Sequence, residues 1–190
     1  MIHLVITLIF SKATKAMLSP SKTFTTLLAF SLLSFNANAR EVVTSEHAFE
    51  QMKTLVGTWK KENDKKGKFR VSFELTANNT VLVETWLRGS KKHSLTVYHQ
   101  DGERLLATHY CPQGNQPRLR LTMGSKLNKL SFNYLDSTNL ASLKDSHQHS
   151  LEFEFSEQPN SIRRGESYLS GAGENHSEMT LVRLPNKTGD

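Results

Sequence analysis

The sequence predicts an all-β chain, an up-and-down antiparallel barrel of about ten strands behind one short N-terminal helix. Three observations lead there. Apolar and polar residues alternate with period two in segment after segment, as in Phe69, Val71, Phe73 and Leu75 set against Arg70, Ser72, Glu74 and Thr76. Turn signals recur at hairpin distances, at Asp64 to Gly67, Ala77-Asn78-Asn79, Gly89-Ser90, Asp101-Gly102, Pro112 to Pro117, Gly124-Ser125 and Gly171 to Gly173. So many short strands with brief connections favour an antiparallel meander. Closing that meander removes the free edges on which other chains would pair.

Ahead of the strands lies a leader. Residues 1–39 hold Lys12, Lys15 and Lys22 and no acid, then an apolar run from Leu27 to Phe35, then Ala37-Asn38-Ala39. That order is the pattern of a secretory signal peptide cleaved before Arg40, with an apolar core too short to span a bilayer. Met17 opens a complete signal peptide of its own, so the stretch before it is expected to be an over-extended start, the alternative being a long leader. Residues 40–190 then form a single domain, since that length supports one core. Losing three leader lysines and no acid lowers the formal charge from +6 to +3, which gives nucleic-acid binding little support. Cys111 is the only cysteine, so no intramolecular disulfide forms, and it stands too far from the cleavage point to carry a lipid anchor. The expectation is an exported protein with no stable membrane anchor.

Within the domain, Phe49, Met52 and Leu55 recur at three-residue spacing after Thr44 or Ser45 as an N-cap, with Glu46 in the first turn. This predicts a short amphipathic helix that closes one barrel end. Leu119, Leu121 and Met123, then Leu130, Phe132 and Tyr134, then Leu151, Phe153 and Phe155 each mark the apolar face of a later strand. Asp136 to Asp145 breaks the rhythm, as a helical turn or as a lid over a barrel mouth. The tail beyond Leu184 is small and polar and is expected to fray.

The densest polar stretch runs from Thr108 through His109, Tyr110, Cys111, Gly114 and Asn115 to Arg118. On a strand His109 and Cys111 share a face with Leu105 and Ala107, whereas Leu106, Thr108 and Tyr110 form the opposite one. Either face is compatible with the interior. A Cys-His pair with Asn115 is a conceivable nucleophilic set, but a buried thiol is commonly a small apolar residue. His147 and His149 present two imidazoles at a spacing zinc accepts, and a third ligand would have to come from His109, Cys111, Glu84 or another His. Glu84 and Trp86 share one face, as do Arg164, Glu166 and Tyr168. A carboxylate inside a barrel needs a cation, which Arg164 or Arg118 can supply, and the pair would then anchor a carboxylate or phosphate ligand. The interior ligand-binding set is accordingly Glu84, Trp86, Tyr98, His109, Cys111, Arg118 and Tyr168.

Two further segments carry a resemblance. Gly57-Thr58-Trp59 opens the first strand, and Arg183 closes the last, within Met179-Thr180-Leu181-Val182-Arg183-Leu184. With Val83-Glu84-Thr85-Trp86, Val97 to Gly102 and the His109-Tyr110-Cys111 and Gly114-Asn115-Gln116-Pro117-Arg118 segments, the chain resembles a family of exported bacterial calycin-like barrels of uncharacterised function. The resemblance covers most of Phe49 to Leu184. It implies a lipocalin-like barrel in which Arg183 stacks on Trp59, with Gly57, Trp59 and Arg183 as the structural signature. A more distant similarity is to nitrobindin-like haem barrels. Lys61 stands where a glycine of their Gly-x-Trp-x-Gly-x-Gly pattern would be, so that similarity carries no haem ligand onto a histidine here. No motif names a cofactor. The function expected is the binding of a small, mostly apolar molecule inside the barrel by a few polar anchors. The alternatives are an enzyme with a His/Cys or metal site in the same cavity, and a structural or protein-binding barrel.

Overall fold

The computed structural model describes residues 42–185, and the predicted leader lies outside them. A helix α1 (Ser45–Lys53) precedes ten strands: β1 (Gly57–Lys61), β2 (Phe69–Thr76), β3 (Val81–Arg88), β4 (Lys91–Asp101), β5 (Arg104–Tyr110), β6 (Gln116–Leu121), β7 (Lys129–Thr138), β8 (His147–Phe155), β9 (Ser161–Ser170) and β10 (Gly173–Arg183). Each strand pairs antiparallel with the next in sequence, and β10 pairs with β1. The sheet is therefore a closed up-and-down barrel, and the described residues are all-β but for one short helix. Among the described residues no helix is long and apolar enough to cross a membrane.

Helix α1 begins where Thr44 accepts a hydrogen bond from the His47 amide at 3.1 Å, with Glu46 in its first turn and Lys53 in its last, each favourable to the helix dipole. Its buried side, Ala48, Phe49 and Met52, joins Leu55, Trp59, Leu82, Leu105, Leu119 and Leu130 in one apolar core. The apolar side that the spacing predicts is the side that joins the core. The helix packs beside β4 and β5, where Ser45 reaches the Gly102 carbonyl.

Alternation places Val71 and Phe73 of β2, Phe132 of β7, Leu151 and Phe153 of β8, Ile162 of β9 and Leu181 of β10 inside. Phe153 sits edge-on to Phe73 and to Tyr98, with ring centroids 6.2 and 6.1 Å apart. At about 25 cal/mol per Å2 of apolar surface removed from water, such rings dominate the stabilisation of a core this size.

The two ends of the domain meet at Trp59. Its ring is fully buried and its Nε1 donates to the Leu55 carbonyl at 2.7 Å. Arg183, directly opposite in register, lies over that ring 4.2 Å from its centroid and donates to the carbonyls of Thr54 (2.6 Å) and Val56. The guanidinium thus satisfies carbonyls left free after the helix. Gly57 is required beside it. Its φ is +129°, and a Cβ there would come within 2.9 Å of Arg183 Nη1.

Three irregularities interrupt the ladders, between Trp86 and Leu87, between Arg118 and Leu119, and between Gln148 and Ser150. The third matters most for the interior. Strict alternation from Leu151 and Phe153 points His147 and His149 inward and Gln148 outward, but the bulge lets Gln148 bury completely as well. The stretch expected to be a helical turn or lid divides in two. Asp136 to Thr138 complete β7, and the rest is a loop with a turn at Leu143 and Lys144, tied to the β5–β6 turn by Asn139 Nδ2 to the Gly114 carbonyl (2.6 Å) and Asn115 Nδ2 to the Ser146 carbonyl (2.9 Å).

Candidate functional site

Above the apolar layer, towards the end opposite α1, the interior turns polar. Arg164 of β9 has no exposed surface and is flanked by two carboxylates. Its Nε lies 2.9 Å from Glu84 Oε1, off the N–H axis, in an ion-pair contact rather than an aligned hydrogen bond. Its Nη1 donates to Glu166 Oε2 at 3.0 Å. Glu84, equally buried, also accepts from Trp86 Nε1 at 2.6 Å and from the Tyr98 hydroxyl. Glu166 Oε2 takes a second donor, Gln148 Nε2, at 3.0 Å. The guanidinium lies over Trp86, 5.0 Å from its centroid, and 5.7 Å from that of Phe153.

These contacts set the charge states. Burial works against the Arg164 cation, but Glu84 and Glu166 outweigh it and hold its pKa above the ordinary arginine value. Burial likewise opposes the Glu166 anion, and Arg164 overcomes that to leave its pKa below the usual carboxylate value. Burial first and the Glu84 charge second push the Tyr98 hydroxyl well up, so it stays a donor.

A second group adjoins the first. His109 bridges Thr96 Oγ1 (3.0 Å to Nδ1) and the Tyr168 hydroxyl (3.2 Å to Nε2). Burial, reinforced by the positive charge of Arg164, lowers the His109 pKa from 6.5 to about 4, so the imidazole is neutral at neutral pH. One ring nitrogen then donates and the other accepts, and the two hydroxyls complement either arrangement. Burial raises the pKa of the Cys111 thiol, two residues past His109. Tyr168 itself is pushed up, by burial and then by Glu166. A thiol whose pKa is raised, beside a histidine whose two ring nitrogens are taken up by Thr96 and Tyr168, is not activated as a nucleophile.

No protein-family model and no curated protein matches this chain. The reading of the site therefore rests on its geometry.

Of the residues expected to line the interior, Glu84, Trp86 and Tyr98 converge on Arg164, and His109 and Tyr168 form the adjoining chain, with Cys111 buried two residues past His109. Leu105 and Ala107 face inward with His109, which settles the face of β5 that the sequence leaves open. Arg118 does not join them. It projects outward between the buried Pro117 and Leu119, paired with Asp136 on the adjacent strand and 45% exposed. Arg164 supplies the cation instead. His147 and His149 flank Tyr134, with ring centroids 4.8 and 5.9 Å from it, and His147 Nδ1 donates to the Asp145 carbonyl at 2.8 Å. Among the described residues no three His, Cys, Asp or Glu side chains converge as a metal-binding group. Gln148 and Thr96 are the members that sequence reasoning missed. Thr96 carried no signal beyond its parity with Tyr98, and Gln148 enters only through the bulge.

Among the described residues five buried side-chain atoms lack a hydrogen-bond partner, Arg164 Nη2, Gln148 Oε1, His149 Nδ1, Asn115 Oδ1 and Arg164 Nε, the last of which meets Glu84 only as an ion pair. Folded proteins rarely leave such atoms unpaired, since each costs roughly 1–3 kcal/mol. Glu166, the partly exposed edge of the cluster, also borders a recess of about 290 Å3 lined by Ser150, Glu152, Gly165, His176, Ser177 and Glu178. A separate recess of about 410 Å3, between Val42, Val43 and His47 and the β6–β7 turn, shares no residue with the cluster.

Proposed function

We propose that this chain is an exported binding protein, a calycin-like barrel that holds a small, mostly apolar molecule and orients it through the Arg164 cluster. One observation carries the reading. A fully buried guanidinium, expensive to place in a core, keeps Nη2 unpartnered and Nε in an ion-pair contact alone, while Gln148, which shares its Glu166 anchor, has an equally buried, unpartnered carboxamide oxygen. A purely structural ion pair gains stability by satisfying every donor, whereas a ligand site holds some in reserve. The aromatic walls Trp86, Tyr98 and Phe153 supply the apolar contact. Export rests on the leader, and family membership on the Gly57, Trp59 and Arg183 signature together with the closed ten-strand meander.

Native mass spectrometry with parallel metal analysis, on protein purified without denaturation from the cells that make it, tests this. The expected result is a reproducible added mass that disappears on unfolding. A bare mass, together with no change in melting temperature on adding small apolar probes, overturns the reading.

A further inference from the structure

The two unpartnered atoms beside Glu166 say what kind of group the cluster awaits. Arg164 Nη1 and Gln148 Nε2 both donate to the same oxygen, Glu166 Oε2, each at 3.0 Å. A carboxylate accepts only, so the Gln148 nitrogen must face it and the Gln148 oxygen must turn away. The shared anchor thus leaves a donor, Arg164 Nη2, and an acceptor, Gln148 Oε1, on two side chains joined through one oxygen, both buried and both unmet, while Arg164 Nε is occupied by its ion-pair contact with Glu84.

Charge narrows the choice. Glu84 and Glu166 against Arg164 leave the cluster with one net negative charge. An anion would satisfy Arg164 Nη2, but it would face that net charge and leave Gln148 Oε1 without a donor. A cation would answer Gln148 Oε1, but it would be brought up to the guanidinium and leave Nη2 without an acceptor. A neutral group with C=O and N–H side by side meets both. We propose, on the basis of the small-molecule reading above, that the polar end of the ligand is a neutral carboxamide-type group, an amide, lactam or urea. Its carbonyl accepts from Arg164 and its N–H donates to Gln148. The carboxylate or phosphate anchor expected from the sequence does not suit an arginine already neutralised twice.

Four ring compounds of similar size separate the possibilities, benzamide, benzoate, benzylamine and toluene, titrated into the full chain at neutral pH and followed by melting temperature and NMR. Benzamide should bind at least tenfold more tightly than benzoate and benzylamine, the discrimination that unmet buried polar groups produce. In Gln148→Leu the preference for benzamide over toluene should shrink about tenfold, and in Glu166→Gln, which removes the net charge, benzoate should gain on benzamide. Benzoate or benzylamine binding as tightly as benzamide in the unaltered protein overturns the proposal, without need of any variant. Toluene binding while benzamide does not also overturns it, and leaves the apolar binding function standing. If none of the four binds, the binding reading falls and the proposal with it.

Discussion

Lowering the pH from 7 to 5 should destabilise this protein through His109 in particular. The buried imidazole has a pKa of about 4 in the folded chain, against an ordinary 6.5 when unfolded. Between those values the unfolded state binds the proton and the folded state does not, so stability is greatest above pH 6.5 and declines as the pH falls towards 4. The full effect is about 3 kcal/mol, and about 2 kcal/mol of it falls between pH 7 and pH 5. Glu166, whose pKa lies below the carboxylate value of 4.5, adds its own loss only at lower pH, so the upper window isolates the histidine. Urea unfolding at pH 7, 6 and 5 measures the slope, and His109→Gln, which keeps polar atoms but does not titrate there, should flatten it. An equal slope in both proteins, or an NMR titration showing His109 protonated at pH 6 in the folded state, would refute the reasoning.

Three other substitutions and reagents probe separate parts of the barrel. Arg164→Met strands two carboxylates in the interior and should cost about 3–5 kcal/mol in urea unfolding, with much of it recovered when Glu84→Gln and Glu166→Gln are added. Gly57→Ala meets both a positive φ and the Arg183 guanidinium and should cost about 2 kcal/mol or more, and part of that penalty should vanish in an Arg183→Ala background. Cys111, buried and with its thiol pKa raised, should react with iodoacetamide at pH 7.5 far more slowly than after unfolding in urea; matching rates would show the thiol to be open and activated.

The barrel was legible because period-two alternation is a direct consequence of strand geometry, and Val71, Phe73, Phe132 and Phe153 all obey it. Glu84 and Arg164 could be paired in thought for an electrostatic reason, since a carboxylate inside a barrel must find a cation. The choice between Arg164 and Arg118 was not legible. It depends on the parity of β6, where Pro117 and Leu119 take the inside and leave Arg118 to Asp136. Gln148 was hidden for a different reason: a bulge shifts the phase of alternation by one residue, and nothing in His147-Gln148-His149-Ser150 marks where that occurs. The face of β5 stayed open because Leu106 is apolar and nearly buried on the outside, so both faces read alike.

Arg183 also bears on the order in which the chain is assembled. It donates to Thr54 and Val56 from 129 and 127 residues further along, so the start of the domain cannot reach its final state until nearly the last residue of the barrel has been delivered. Before then β1 has β2 on one side and nothing on the other, and the growing meander carries an open edge throughout. Closing a loop of that length costs on the order of 4 kcal/mol in chain entropy before any contact repays it. The seam itself is short, with three residue pairs between β1 and β10 against ten between β9 and β10. A chain cut short before β10 would therefore be more than a slightly weakened barrel. It would be a curled sheet with two sticky margins, prone to trade its missing strand with a second copy.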